Sequence, residues 1–298
     1  MEKAILTASG SIAGVPYVRV ENVGNFSVFK TFDCGQCFRF DPTESDTGYA
    51  VSGIAYGKHV TFREDGRGID IIGATEEDFH GIWERYLSLD EDYGEIDRIV
   101  TCALDEDGCA VMRRAAEVSA GIRLLRQEPW EALCSFIVSQ NNNIPRIKKI
   151  ITAMCAEFGE PTADGRGYCF PTAKALADAG EDRIFALKTG FRAKYIADAA
   201  RKVASGELDL EAVVASETYT EAERMLMDVK GVGPKVAACA LLFGFGKTEA
   251  YPIDTWMKKV TARRFKTAPD PALFGKYAGI AQQYLFYMER YVNSAEEE

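Results

Sequence analysis

The chain is predicted to be an α+β protein, with a small antiparallel β domain over residues 1–95 followed by a larger all-α domain over residues 96–298. Three observations predict this. Before Glu76, short β-branched or alternating apolar runs occur at 17–20, 26–29, 48–54, 59–63 and 68–72, punctuated by Gly, Asp and Pro. After Glu76, apolar residues fall at helical spacing, beginning with Phe79, Ile82, Trp83, Tyr86 and Leu87. Pro129, Pro145 and Pro234 also stand where a first helical turn tolerates a residue without an N–H.

Taken in order, the β runs have strand length, and an antiparallel sheet follows from the turn residues between them. Helices are expected over 129–140, 146–158, 173–179, 195–204, 220–227, 234–243, 255–264 and 274–293. The chain shows no internal repeat and no low-complexity linker.

Composition bounds the functional class. With 298 residues, 47% hydrophobic and 27% charged, the chain is long enough for two ordinary globular domains. No apolar run is long enough to span a bilayer, and residues 1–10 lack the apolar core of a secretory signal, so a soluble intracellular protein is expected. The 8 cysteines are irregularly spaced, mostly in apolar surroundings, and read as reduced and buried. Cys34 and Cys37 form a lone C-x-x-C without a second pair, weak grounds for a metal site. The net charge of −10 argues, on average, against a nucleic-acid partner. The face presented matters more than the average. Bases cluster around Arg146, around Arg192 to Lys202 and from Lys230 to Lys266, whereas the acidic tail, residues 293–298, is expected to fray.

The most informative stretch is Gly231-Val232-Gly233-Pro234-Lys235, with helical pattern on both sides. Two glycines flanking one apolar residue permit a tight hairpin in which Val232 plugs the gap between the helices. The amides opening the second helix are left without partners and suit a DNA phosphate. The hairpin carbonyls could also hold a monovalent cation. An ordinary αα-hairpin with glycine caps is the plainer alternative.

Lys235 sits in the first turn of the second helix, where the dipole disfavours an ammonium. A neutral amine there could attack a sugar carbon and form a Schiff base; a surface lysine is the alternative. Asp254 is well placed to cap the next helix. The same carboxylate could stabilise positive charge on a sugar as its glycosidic bond breaks. The two roles are compatible.

Together with four further stretches, this constellation resembles the helix-hairpin-helix Gly-Pro-Asp glycosylase superfamily and, within it, the 8-oxoguanine DNA glycosylases of the eukaryotic type. The further stretches are Gly35-Gln36-Cys37-Phe38-Arg39, Gln140-Asn141-Asn142-Asn143-Ile144-Pro145-Arg146, Gly190-Phe191-Arg192-Ala193-Lys194-Tyr195 and Ala278-Gly279-Ile280-Ala281-Gln282-Gln283-Tyr284-Leu285-Phe286. The similarity runs over nearly the whole chain, with the helix-hairpin-helix at about 219–245.

The resemblance implies a bifunctional DNA glycosylase and lyase that excises 8-oxoguanine from double-stranded DNA, with Lys235 as nucleophile and Asp254 as its partner. It implies that the Gly35 carbonyl accepts the N7–H that normal guanine lacks, that Gln282 bonds the pairing edge of the base, and that Phe286 and Cys239 sandwich its faces. Asn141 would fill the hole left by the extruded base, Arg146 and Arg192 would bond the estranged cytosine, and Phe191 would wedge beside it. Lys230, Gly231, Gly233 and Trp256 would meet the DNA backbone. No cofactor is required, no membrane is involved and a monomer is expected, in the nucleoid of a prokaryote or the nucleus of a eukaryote. Taken alone, Gly35 reads as a turn glycine, Gln282 as a solvated helix residue, Phe286 and Cys239 as core, and the asparagines as a cap and turn.

Three positions depart from the family pattern. Lys230 replaces a proline, Trp256 a histidine and Phe191 a tyrosine, which bears on phosphate contacts and the wedge. No four-cysteine cluster of iron–sulfur spacing follows, separating the chain from the cluster-bearing branches. Two rival readings are a glycosylase of the same superfamily for another damaged base, such as an alkylated purine, which typically lacks the lysine, and a non-catalytic module using the hairpin only to hold DNA.

Overall fold

A computed structural model of the chain describes residues 4–46 and 48–292, so the tail 293–298 lies outside the described residues. Strands β1 (Ile5–Ile12), β2 (Val15–Glu21), β3 (Phe40–Thr43), β4 (Tyr49–Ala55), β5 (Lys58–Glu64) and β6 (Gly68–Ile72) form one antiparallel sheet in the order β1-β2-β6-β5-β4-β3. The two-residue period decides the buried face. Val18, Val20, Val60, Phe62, Ile69 and Ile71 are each 0% exposed, and the register pairs Val18 with Ile71, Val20 with Ile69 and Phe62 with Ile71. A one-residue slip would turn this whole set to water. The face is covered by Phe79, Trp83 and Tyr86 from helical turns over 76–86 and by Leu87 just after them, with the Trp83 ring 5.6 Å from Phe62.

The run 26–29, expected as a strand, instead opens helix α1 (Val28–Phe32). The Ser27 side chain accepts the Lys30 amide, and Val28, Thr31 and Phe32 are buried at helical spacing. Four alternating residues are too few to distinguish the two periods. Strands β1 and β3 were not expected; both lie on sheet edges, and most of their residues are exposed, so they carry little apolar alternation.

The helical domain comprises α2 (Tyr93–Val100), α3 (Glu106–Val118), α4 (Pro129–Ser139), α5 (Ile144–Phe158), α6 (Ala173–Ile184), α7 (Ala193–Ser205), α8 (Leu210–Ala215), α9 (Tyr219–Met227), α10 (Pro234–Gly244), α11 (Thr255–Arg264) and α12 (Ala278–Tyr287). Helices α2, α3 and α8 were not anticipated. The stretch expected as one helix over 274–293 is divided. Gly275, at φ +56°, kinks a 3-10 segment (Pro271–Tyr277) that precedes α12, and the chain beyond α12 widens into a π turn (Met288–Val292). Among the described residues, no helix is long and apolar enough to cross a membrane.

Two apolar cores meet near residue 90. The sheet-side core runs to Leu89 and takes in Leu125, whereas the helical core begins at Tyr93 but also claims Cys34 and Phe38. The segment joining them is pinned by Gln36, which is 0% exposed. Its amide nitrogen donates to the carbonyls of Thr31 and Arg123, both at 2.8 Å, and its side-chain oxygen accepts the Leu125 amide at 2.8 Å. Gln127 donates to the Gln36 carbonyl at 2.7 Å, and Gln283 to the Cys34 carbonyl at 3.1 Å. Every polar group of the Gln36 side chain is thus used, which holds the intervening loop rigidly against α12.

A buried ion pair, Arg39 to Glu131 at 3.0 Å, forms a second link between the sheet and α4. Burial pushes the Glu131 carboxyl up to about 7, with Arg39 pulling the other way. A folded-state value above the unfolded one stabilises the fold fully below the unfolded value of 4.5, and that contribution is lost as pH rises through about 7. We therefore expect stability to fall by about 2 kcal/mol between pH 5 and pH 8 in a manner that Glu131→Gln removes. Parallel denaturant titrations of both proteins across that range measure it; identical slopes would refute it.

Candidate active site

The site begins at the hairpin between α9 and α10. Gly231 lies at φ +78°, and a Cβ there would stand 2.5 Å from the Tyr195 ring, so both conformation and space require glycine. Val232 is 5% exposed, and its amide donates to the Val229 carbonyl at 3.0 Å, placing its side chain as the plug between the helices. The capping position of α10 is Gly233, which has no side chain to offer. By contrast, α9 is capped by Thr218, α5 by Asn143 and α11 by Asp254. The first-turn amides of α10 therefore remain available to an anion. The Lys230 amide is held by Asp198 at 2.8 Å, leaving its side chain exposed beside the hairpin.

A cleft of about 970 Å³ opens beside this turn. Lys235 and Cys239, one turn apart on α10, line it together with Asp254, Gly35, Gln282 and Phe286. Asn141, Phe191, Gly231, Gly233 and Trp256 border the same cleft. Its charged lining is Lys235, Lys258 and Arg290 against the single acid Asp254. A chain of net charge −10 thus presents a positive cleft, which resolves the objection raised by its composition.

The chemistry gathers around Cys239. Burial pushes its thiol up to about 11, while the Lys235 amine, within hydrogen-bonding reach, pulls it down and the Asp254 carboxylate pushes it up. Lys235 and Asp254 therefore act on one point from different helices. The Asp254 side chain accepts the Met257 amide at 2.8 Å, so it is indeed the cap of α11 as well as a lining group.

The opposite wall comes from the sheet domain. Gly35, at φ +80°, has its Cβ position 3.8 Å from the Phe286 ring, and a side chain there would enter the cleft. Among the described residues, nothing donates to its carbonyl. Gln282 is 4% exposed, and Phe286 lies one turn further along α12. A planar group entering between Cys239 and Phe286 would meet a carbonyl on one edge and an amide on another.

The three adjacent asparagines have separate tasks. Asn142 donates to the Val138 carbonyl at 3.0 Å at the end of α4, and Asn143 accepts the Arg146 amide at 3.0 Å to cap α5. Asn141, at φ +47°, is left exposed at the rim of the cleft. Arg192 is 2% exposed; it donates to Gln140 at 2.8 Å, to Asn141 at 2.8 Å and to Thr189 at 3.1 Å. Arg192 thus shapes the Asn141 loop, and burial holds its guanidinium below the ordinary arginine value, with Arg146 acting in the same direction. Arg146 is exposed, with one bond to the Lys188 carbonyl at 3.3 Å. Phe191 is 47% exposed and packs at 4.4 Å under Arg192. Arg146, Arg192 and Lys230 stand outside the cleft lining and flank it. Arg290 and Lys258 line it and were not singled out from the sequence. The signal for Arg290 was its spacing, one turn past Phe286.

Fold and site together define a helix-hairpin-helix protein with a lysine and an aspartate converging on one cleft. Residues 19–133 match the model of the 8-oxoguanine DNA glycosylase N-terminal domain, and residues 134–272 match that of the HhH-GPD superfamily of base excision DNA repair proteins. The chain is 37% identical to MBOgg1, solved with a low-affinity DNA ligand, with a TM-score of 0.88 over 98% of this chain and 100% of that one. It is 36% identical to the 8-oxoguanine glycosylase/lyase of Clostridium acetobutylicum in complex with double-stranded DNA containing cytosine opposite 8-oxoguanine, with a TM-score of 0.85 over 97% and 99% of the two chains. An N-glycosylase/DNA lyase of Saccharomyces cerevisiae is 38% identical over 159 residues, 49% of this chain and 42% of that protein. The chain spans about half the length of the curated relatives it matches. It belongs to the 8-oxoguanine DNA glycosylase family.

Proposed function

We propose that the protein excises 8-oxoguanine from double-stranded DNA and then nicks the strand as an abasic-site lyase. The observation that carries this reading is the convergence of Lys235, Asp254 and Cys239 on a cleft whose far wall is Gly35 and Phe286. The free amides of α10 and the Lys230 side chain hold a phosphate whatever the sequence. The hairpin carbonyls remain available to a monovalent cation. The lesion is flipped into the cleft between Phe286 and Cys239, and Asn141 takes its place in the stack. Gln282 bonds its pairing edge. The Gly35 carbonyl accepts N7–H, whereas guanine would oppose it with a lone pair.

As the bond between the base nitrogen and C1′ breaks, its electron pair leaves with the base, and Asp254 stabilises the positive charge growing on the sugar. The Lys235 nitrogen gives its lone pair to C1′. Loss of a proton from nitrogen and opening of the sugar ring yield the Schiff base. Removal of a C2′ proton then expels the 3′ phosphate. The protein acts where the chromosome lies, in the nucleoid or the nucleus.

The test is single-turnover excision from duplexes carrying one 8-oxoguanine opposite each of the four bases. Cutting is expected, fastest opposite cytosine, and absence of cutting with all four would refute the assignment. Arg146 is the proposed donor to the estranged cytosine, whose carbonyl and ring nitrogen suit a guanidinium, whereas Arg192, expected beside it in that role, spends its donors on Gln140, Asn141 and Thr189 and holds the Asn141 loop in place. Because Arg146 is the more exposed of the two, Arg146→Ala should reduce the preference for cytosine about tenfold. An unchanged preference in the variant would remove Arg146 from that role.

A further inference from the structure

Arg290 enters none of the roles above, yet it stands at the end of the base pocket. Gln282, Phe286 and Arg290 occupy positions i, i+4 and i+8 of one helical run, so they follow one another along a single face about 6 Å at a time. The guanidinium carbon of Arg290 lies 5.6 Å from the Phe286 ring centre and 5.9 Å from that of Trp256. One of its terminal nitrogens is 4.0 Å from the Cβ position of Gly35. Among the described residues, it forms no ion pair and no hydrogen bond; Asp33 is a charged neighbour at longer range. A half-buried guanidinium held by aromatic rings, with its donors unspent and facing a cleft, is suited to an oxygen acceptor brought by a ligand.

The geometry of a purine says which oxygen. Its pairing edge and its C8 edge are at opposite ends of the ring system. A base held by Gln282 at the pairing edge and by Phe286 on its face directs C8 toward Arg290. The N7 position next to C8 is the one assigned to the Gly35 carbonyl, and Arg290 is the side chain beside Gly35. We propose that Arg290 is a specificity-determining residue that donates to the C8 carbonyl of the flipped base. The site would thus read two adjacent atoms, an N–H with an acceptor and a C=O with a donor. Guanine offers the reverse at N7 and a bare C–H at C8, so both contacts fail for the normal base. This inference rests on the lesion assignment above.

Equilibrium binding separates the alternatives. The probes are three duplexes identical except at one position, which holds 8-oxoguanine, guanine or a tetrahydrofuran abasic analogue, titrated with Lys235→Gln protein so that none is consumed. Adding Arg290→Ala should weaken binding to the 8-oxoguanine duplex about tenfold and leave the tetrahydrofuran duplex unaffected. Arg290→Gln, which keeps a donor of shorter reach, should lose less than Arg290→Ala. Equal weakening on both duplexes would mark a phosphate contact and overturn the proposal, as would unchanged binding to both. If protein with native Arg290 fails to prefer 8-oxoguanine over guanine, the lesion assignment itself has failed rather than the role of Arg290.

Discussion

Lys235→Gln is expected to abolish base excision, by at least about 10⁴-fold, while leaving duplex affinity within a factor of about two. Glutamine keeps a polar side chain only one atom shorter and removes the nucleophilic lone pair. Lys235 is only partly buried and lies in the first turn of α10, so its loss should not disturb the core. Borohydride should trap the wild-type protein on 8-oxoguanine DNA as a covalent adduct and should trap none of the variant. A variant that still cuts, or an active wild type that gives no adduct, would eliminate the Schiff base.

The second large effect is expected at Asp254, where substitution separates its two roles. Asparagine caps helices about as well as aspartate, so Asp254→Asn should keep the 2.8 Å bond to the Met257 amide and unfold within about 0.5 kcal/mol of the wild type. It loses the negative charge, and excision should slow by about 10²- to 10³-fold. Asp254→Ala should show the same slowing and lose a further ~1 kcal/mol of stability with the cap. Thermal melts and single-turnover rates of the two variants check this. Full activity in Asp254→Asn would reduce Asp254 to a cap.

How much of this was legible beforehand varied with the range of the physics involved. The hairpin read correctly because its constraints lie within ten residues. Gly231 needs a positive φ, Val232 needs burial, and Pro234 opens a helix. Lys235 and Asp254 could be proposed as a pair only through the family pattern. Locally, each had an ordinary explanation, and for Asp254 that explanation is also true. The run 26–29 misled because four residues fit either period until Thr31 and Phe32 are seen to be buried. Helices α2 and α3 announce themselves mainly by their caps, Asp92 and Asp105, which lie among many other surface acids.

The asparagines show the limit in a small space. A row of three suggested a turn facing DNA, but which one faces outward depends on where α4 ends and α5 begins. Asn142 and Asn143 are spent on those two helix ends, and only Asn141 remains. Arg192 likewise looked from sequence like a DNA contact of the same kind as Arg146. Packing places it beneath the loop, bonded to three carbonyls that shape it.

Periodicity, capping and turn chemistry are local, so the order of sheet then helices, the hairpin and the lysine at its far side were determined by the sequence alone. Convergence is not local. Gly35 comes from the sheet domain, Lys235 from α10, Asp254 from the cap of α11, and Phe286 and Arg290 from the last helical run. What holds Gly35 opposite Phe286 is the fully buried Gln36 amide, tied to segments about ninety residues away. Those bonds exist only once both cores have closed and water has left. Only the tertiary structure could therefore decide that an acidic chain carries a positive cleft, and that one arginine in it has its donors free.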